Sequence, residues 1–213
     1  MNTVDCPTID LPSLDYLTAQ LGDDECPSLV TDRVWLVANP PGGTGPDDSP
    51  TGGGGETPTT GKWLLYVPRA RVDETWAAVR LMTRAGWLGP RAKVATAYPN
   101  PHRTNDHHVI CLYVDDWHDT NAVRRVLTNL RETGIGREWM NFKRDRDTNV
   151  GLYKRNGDRG VATFSAPPDE ERLFTKRLGE VTWLDGENDA AVVAAIEALD
   201  DLPDAEDETW CGT

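Results

Sequence analysis

Apolar and polar positions fall in short blocks along this chain, and the blocks predict strands and helices in alternation. DRVWLVAN (32–39) reads as a strand, and KWLLYV (62–67) is a short apolar run suited to a second. VDETWAAVRLMTRAG (72–86) reads as a helix: Asp73 and Glu74 suit a first turn, Trp76 and Val79 share a face, and Gly86 suits the stop. RAKVATAY (91–98) and HHVICLYV (107–114) follow as strands. DTNAVRRVLTNLRETG (119–134) has the clearest helical period, with Val123, Val126, Leu127 and Leu130 at i, i+3, i+4 and i+7 and Gly134 as terminator. WMNFK (139–143), GLYK (151–154) and GVATFS (160–165) are short strands, the last two joined as a hairpin by Asn156-Gly157. EVTWL (180–184) is a further strand, and NDAAVVAAIEALDD (188–201) is an Ala-rich final helix. The mixture predicts an α+β fold, a curved, mainly antiparallel sheet with helices on one face.

The blocks are interrupted once. NPPGGTGPDDSPTGGGGETPTTG (39–61) cannot bury enough apolar area to offset its ordering entropy and reads as a disordered linker between two strands. The expected organisation is an acidic N-terminal arm (1–38) with one strand joining the domain, the linker (39–61), an α+β domain (62–201) and an acidic tail (202–213).

Charge follows this division. The net charge is −13, yet residues 61–180 hold 21 of the 22 basic residues and 15 of the 35 acidic ones, a net of +6. The two ends together carry −19. KRDRDTNVGLYKR (143–155) is the densest basic stretch, and it bridges two predicted strands, which would bring its first and last cations to one rim. Lys is scarce, at 5 residues against 17 Arg, and with so many carboxylates this suggests a halophile; a GC-rich genome also favours Arg over Lys. No apolar run approaches the roughly 18 residues of a membrane helix, and the first residues have neither a basic n-region nor an apolar h-region, so a cytoplasmic location with no membrane partner is expected. Cys6, Cys26, Cys111 and Cys211 form no CxxC pair and no zinc spacing; neither a metal nor another cofactor is expected. No P-loop, GxGxxG, HExxH or GxSxG occurs either.

The ordered series TGKWLLYVPRARVDETW, GWLGPRAKVATA, HVICLYVDDWHDTNAVRRVLTNLRETG and KRDRDTNVGLYK resembles the basophilic-leukaemia-expressed protein family over about residues 60–165. That family is poorly characterised and has eukaryotic, bacterial and archaeal members. The resemblance implies a fold similar to the cap-binding translation initiation factors. Archaeal members tend to carry the label of a phosphothreonine lyase domain, which implies β-elimination of phosphate. Such a step needs a base for the Cα proton, an acid for the departing phosphate, and cations to hold it.

The chain offers candidates for each role. Lys93, inside a small-residue strand, or Lys62, opening its strand, would be the base. His107 or His108 would be the acid; they alternate across one strand, so only one reaches any given site. Arg103, Lys143, Arg146, Lys154 and Arg155 would clamp the phosphate, with Arg144 beside them. Each has a plainer reading: lysines on solvated strand faces, histidines in a loop, and arginines paired with Asp145, Asp147 and Asp158. Of the eight tryptophans, Trp87 and Trp117 fall near element ends and would be able to stack a base, although no Trp-x-Glu cap motif is present and most of the rings read as packing. The expected partner is a phosphorylated protein or a nucleotide or RNA ligand. The alternatives are a non-enzymatic nucleotide- or RNA-binding module and a protein-interaction domain.

Overall fold

The computed structural model describes residues 25–41, 59–99, 105–149, 162–177, 180–184 and 189–200. Among the described residues, eight strands form one sheet: β1 (Trp35–Ala38), β2 (Gly61–Pro68), β3 (Ala92–Ala95), β4 (His107–Val114), β5 (Met140–Arg144), β6 (Phe164–Ala166), β7 (Leu173–Arg177) and β8 (Glu180–Leu184). Their order is β1-β3-β4-β2-β5-β6-β7-β8, and every adjacent pair is antiparallel. The helices are α1 (Arg69–Arg84), α2 (Thr120–Glu132), the short α3 (Asp145–Asn149) and α4 (Asp189–Asp200). The α+β class and the antiparallel sheet expected from the sequence are therefore present. Among the described residues no helix is long and apolar enough to cross a membrane.

Side chains alternate across a strand, and this alternation divides the sheet into two unlike faces. Trp63, Leu65, Val94, Ile110, Leu112, Phe142, Phe164, Leu173 and Leu184 point to one face and form a single buried cluster with Trp76, Val79 and Met82 of α1, Val126, Leu127 and Leu130 of α2, and Val192 and Ile196 of α4. Trp63 is fully buried and its indole N–H donates to the Val123 carbonyl, which ties β2 to α2. The three longer helices thus share one face.

Local sequence accounts for the ends of α2. The Asp119 carboxylate accepts from the Ala122 N–H as an N-cap, and Gly134 takes φ 85° just after the last turn. The start of α1 differs from expectation. The helix begins at Arg69 after Pro68, so Asp73 lies a turn inside it and instead accepts from the backbone and hydroxyl of Ser28. Buried Arg131 of α2 donates to the carbonyls of Gly136, Glu138, Pro167 and Glu170, fixing the segments that lead into β5 and β7. Gly89 has φ 87°, and a Cβ there would run into the Tyr113 carbonyl.

Other boundaries also move. The linker expected over 39–61 gives up its last three residues, since Gly61 opens β2 and Thr59 and Thr60 accept backbone bonds from Trp117 and Asp145. The strand expected at 160–165 is seen at Phe164–Ala166, and β7 and α3 were not anticipated. Residues 1–24, 42–58, 100–104 and 150–161, with the tail, lie outside the described residues, and so do the GLYK strand and the Asn156-Gly157 turn.

A cationic face as the candidate functional site

The second face of the sheet is built from the complementary set of positions. Strand register fixes it. Lys93 of β3 stands opposite Cys111 of β4; Tyr113 of β4 stands opposite Lys62 of β2; Lys62 stands opposite Lys143 of β5. Three of the five lysines thus lie in one band across four adjacent strands. All three are buried, with exposures of 6% for Lys62, 9% for Lys93 and 5% for Lys143.

Tyr113 organises the band. Its ring centroid lies 4.0 Å from the Arg91 guanidinium and 5.3 Å from each of the Lys62 and Lys93 ammonium groups. Lys93 also sits 4.6 Å from the Trp35 ring on β1. The negative π-faces hold these cations close together and offset part of their mutual repulsion. A carboxylate completes the set. Asp145, fully buried at the start of α3, accepts from the Lys62 ammonium through Oδ1 and from the Thr60 hydroxyl through Oδ2 at 2.8 Å. A buried charge is tolerated only when paired and hydrogen-bonded, and the Lys62–Asp145 pair satisfies that requirement. Burial pushes the Cys111 thiol upward; Lys93 and Lys62 pull it back, Asp145 adds to the rise, and Arg91 opposes it. The thiol therefore reports a strongly charged surround in a buried setting.

The other expected site residues are placed differently. His108 points to the helix-covered face, fully buried, with its Nδ1 2.7 Å from the Ala95 carbonyl oxygen. It is on the opposite side of the sheet from Lys93. His107 shares the lysines' face but is exposed, and it pairs with Pro68 four residues along β4 from Cys111, about 13 Å at strand spacing. The Lys93 ammonium leans the other way, toward Tyr113. The structure brings Lys62, Lys93 and Lys143 together and brings neither imidazole to them. Arg146 is exposed on α3. Arg144 is committed to Asp147 through Nε at 3.0 Å and Nη2 at 2.8 Å, and its guanidinium lies 5.1 Å from the Trp117 ring. Arg103, Lys154 and Arg155 lie outside the described residues. Trp117 is buried, so it offers no open ring to a base, and Trp87 packs partly buried against the core.

Arg91, Tyr113 and Trp35 were not singled out from the sequence as site residues, and Asp145 was expected there only as a partner of the arginines, whereas it accepts from Lys62. The available signal was parity: once β2, β4 and β5 are paired antiparallel, alternation puts Tyr113 between the lysines.

A protein-family model described as basophilic leukemia-expressed protein Bles03 matches residues 57–145. Over this segment the chain is similar to that family. The matched segment runs from just before β2 to the first residue of α3, so it contains Lys62, Arg91, Lys93, Tyr113, Lys143 and Asp145. Apart from Trp35, the residues of the cationic band fall within the matched segment.

Proposed function

We propose that this chain binds a phosphorylated ligand on the cationic face of its sheet. The observation that carries the reading is the register of β3, β4, β2 and β5, which gathers Lys93 and Lys62, with Arg91, around one tyrosine ring and sets Lys143 opposite Lys62. Ammonium and guanidinium groups held close together are suited to the several oxygens of a phosphate. The Lys62–Asp145 pair anchors this set, and Lys93, Arg91 and Lys143, each only 5–9% exposed, would meet a phosphate from the floor of the face. A fold like that of the cap-binding translation initiation factors belongs to the same reading.

Binding is favoured over elimination. A β-elimination through His107 or His108 needs acid and base on one substrate, and those imidazoles stand away from Lys93. Calorimetric titration with tripolyphosphate and with a phosphothreonine peptide tests the proposal. Saturable binding that weakens about tenfold or more in Lys93→Ala and in Lys143→Ala is the expected result. Binding that both variants leave unchanged overturns the site. Mass spectrometry of the incubated peptide decides the enzymatic version: conversion to dehydrobutyrine would restore elimination, with Lys93 or Lys62 as base.

A further inference from the structure

The cationic face continues past Lys143 into an aromatic stretch. Alternation carries the same side of the sheet from Lys143 to Asn141, then across the strands to Ser165, Phe174 and Trp183. The Ser165 hydroxyl donates to the Asn141 side-chain oxygen at 2.8 Å, which confirms the shared side. Here the face is open. Trp139 is 53% and Trp183 40% exposed, and Phe174, 8% exposed, is wedged between them. The Phe174 ring centroid lies 5.7 Å from that of Trp139 and 5.1 Å from that of Trp183. Large aromatic side chains left in water are unusual for a sheet surface and mark contact sites.

Cations flank the rings. Arg172 lies 4.6 Å from the Trp183 ring, and Lys176 is exposed on the same face, opposite Val181. Arg172 pairs with Glu170 at the surface, and an exposed pair of this kind yields readily to another anion. Arg131 holds residues 136–138 and 167–170 by their carbonyls, so both Trp139 and Arg172 follow segments that are fixed rather than loose.

We infer that this aromatic end takes the bases of a single-stranded nucleic acid whose phosphates run onto the lysine band. The inference rests on the phosphate reading above and names the ligand class for the same face. Exposed rings beside cations are the combination that single-strand binding uses: stacking is tolerant of base identity, and the basic groove follows the backbone. Lys143 and Phe174 are about 12 Å apart at strand spacing, a stretch that a site of about four nucleotides spans. A purely apolar protein surface would have to cover Lys176 and the Arg172–Glu170 pair at the edge of the rings, whereas a polyanion can take both cations, so charge complementarity favours the polyanion.

The experiment is fluorescence anisotropy of the full chain with labelled octauridylate, an abasic octamer and increasing salt, beside calorimetry with tripolyphosphate. Wild-type chain should bind octauridylate, about tenfold more tightly than the abasic strand, and added salt should weaken binding. Trp139→Ala and Trp183→Ala should each weaken octauridylate binding about tenfold and leave tripolyphosphate binding unchanged. Both rings are surface groups, and circular dichroism checks that the variants fold. Equal affinity for the two strands, or variants that bind octauridylate like the wild type, would overturn the stacking site. Tripolyphosphate binding without octauridylate binding would overturn it too, while sparing the phosphate reading. Salt-insensitive self-association lost in Trp139→Ala would assign the rings to a second copy instead. If neither ligand binds, the phosphate reading fails and this inference fails with it.

Discussion

The two faces of the sheet are made by the same strands and obey different rules. Along β2, Trp63, Leu65 and Val67 enter the apolar cluster under the helices, while Lys62 between them and Gly61 turns to the other side and meets Tyr113 and Asp145. β4 does the same with Ile110 and Leu112 against Cys111 and Tyr113. One face is buried by hydrophobic packing, which is non-directional. The other buries charge, which requires specific partners. The two faces should therefore fail in different ways, the first by losing packing and the second by stranding a charge, and substitutions can test this.

The largest expected effect breaks the helix-covered face. Phe142 is fully buried and packs edge-on to Trp63 at 5.4 Å. Phe142→Ala should cost about 3–5 kcal/mol in urea unfolding and leave the ligand affinity of the folded fraction unchanged. A stability loss of similar size should follow Asp145→Ala, because it strands the buried Lys62 ammonium, at about 3–5 kcal/mol. Replacing both partners, as Lys62→Met with Asp145→Leu, should recover most of that loss, and the double-mutant cycle checks it. If Asp145→Ala were silent, the contrast between the two faces would collapse.

Smaller effects sharpen the comparison. Asp119→Ala removes the N-cap of α2 and should cost about 1 kcal/mol, read from the same unfolding curves, without touching the cationic face. The smallest is a pH effect at Cys111. Its folded-state pKa is raised, first by burial, so its contribution is fully present below the ordinary thiol range of about 8.5 and is lost as pH rises through the folded value. Cys111→Ala should remove that part of the alkaline loss of stability, measured as unfolding free energy against pH.

Much of this architecture was legible in the chain. The strand at 107–114 and the strand at 180–184 fall on the expected residues, because an apolar run between polar ends has little else to be. The heptad-like spacing of Val123, Val126, Leu127 and Leu130 announced α2, and Gly134 its end. Leu173–Arg177 escaped notice because LFTKR is short and only half apolar; it becomes a strand by pairing with β8, which is a tertiary event. The site was legible in its lysines and illegible in its partners. Scarcity pointed to Lys62, Lys93 and Lys143, but their convergence depends on non-consecutive strands lying side by side. Arg144 shows the opposite case: it stood out in the basic stretch, and a local Asp147 three residues on engages its guanidinium. His108 looked suited to a site by type, and strand parity turns it to the helices.

The most direct test of the central claim is calorimetric titration of tripolyphosphate into the wild-type chain and the Lys93→Ala and Lys143→Ala variants at one salt concentration. The account predicts saturable binding that each substitution weakens about tenfold or more, with circular dichroism confirming that the variants are folded at the titration temperature. Tripolyphosphate binding of equal strength in all three proteins, or none in the wild type, would contradict it.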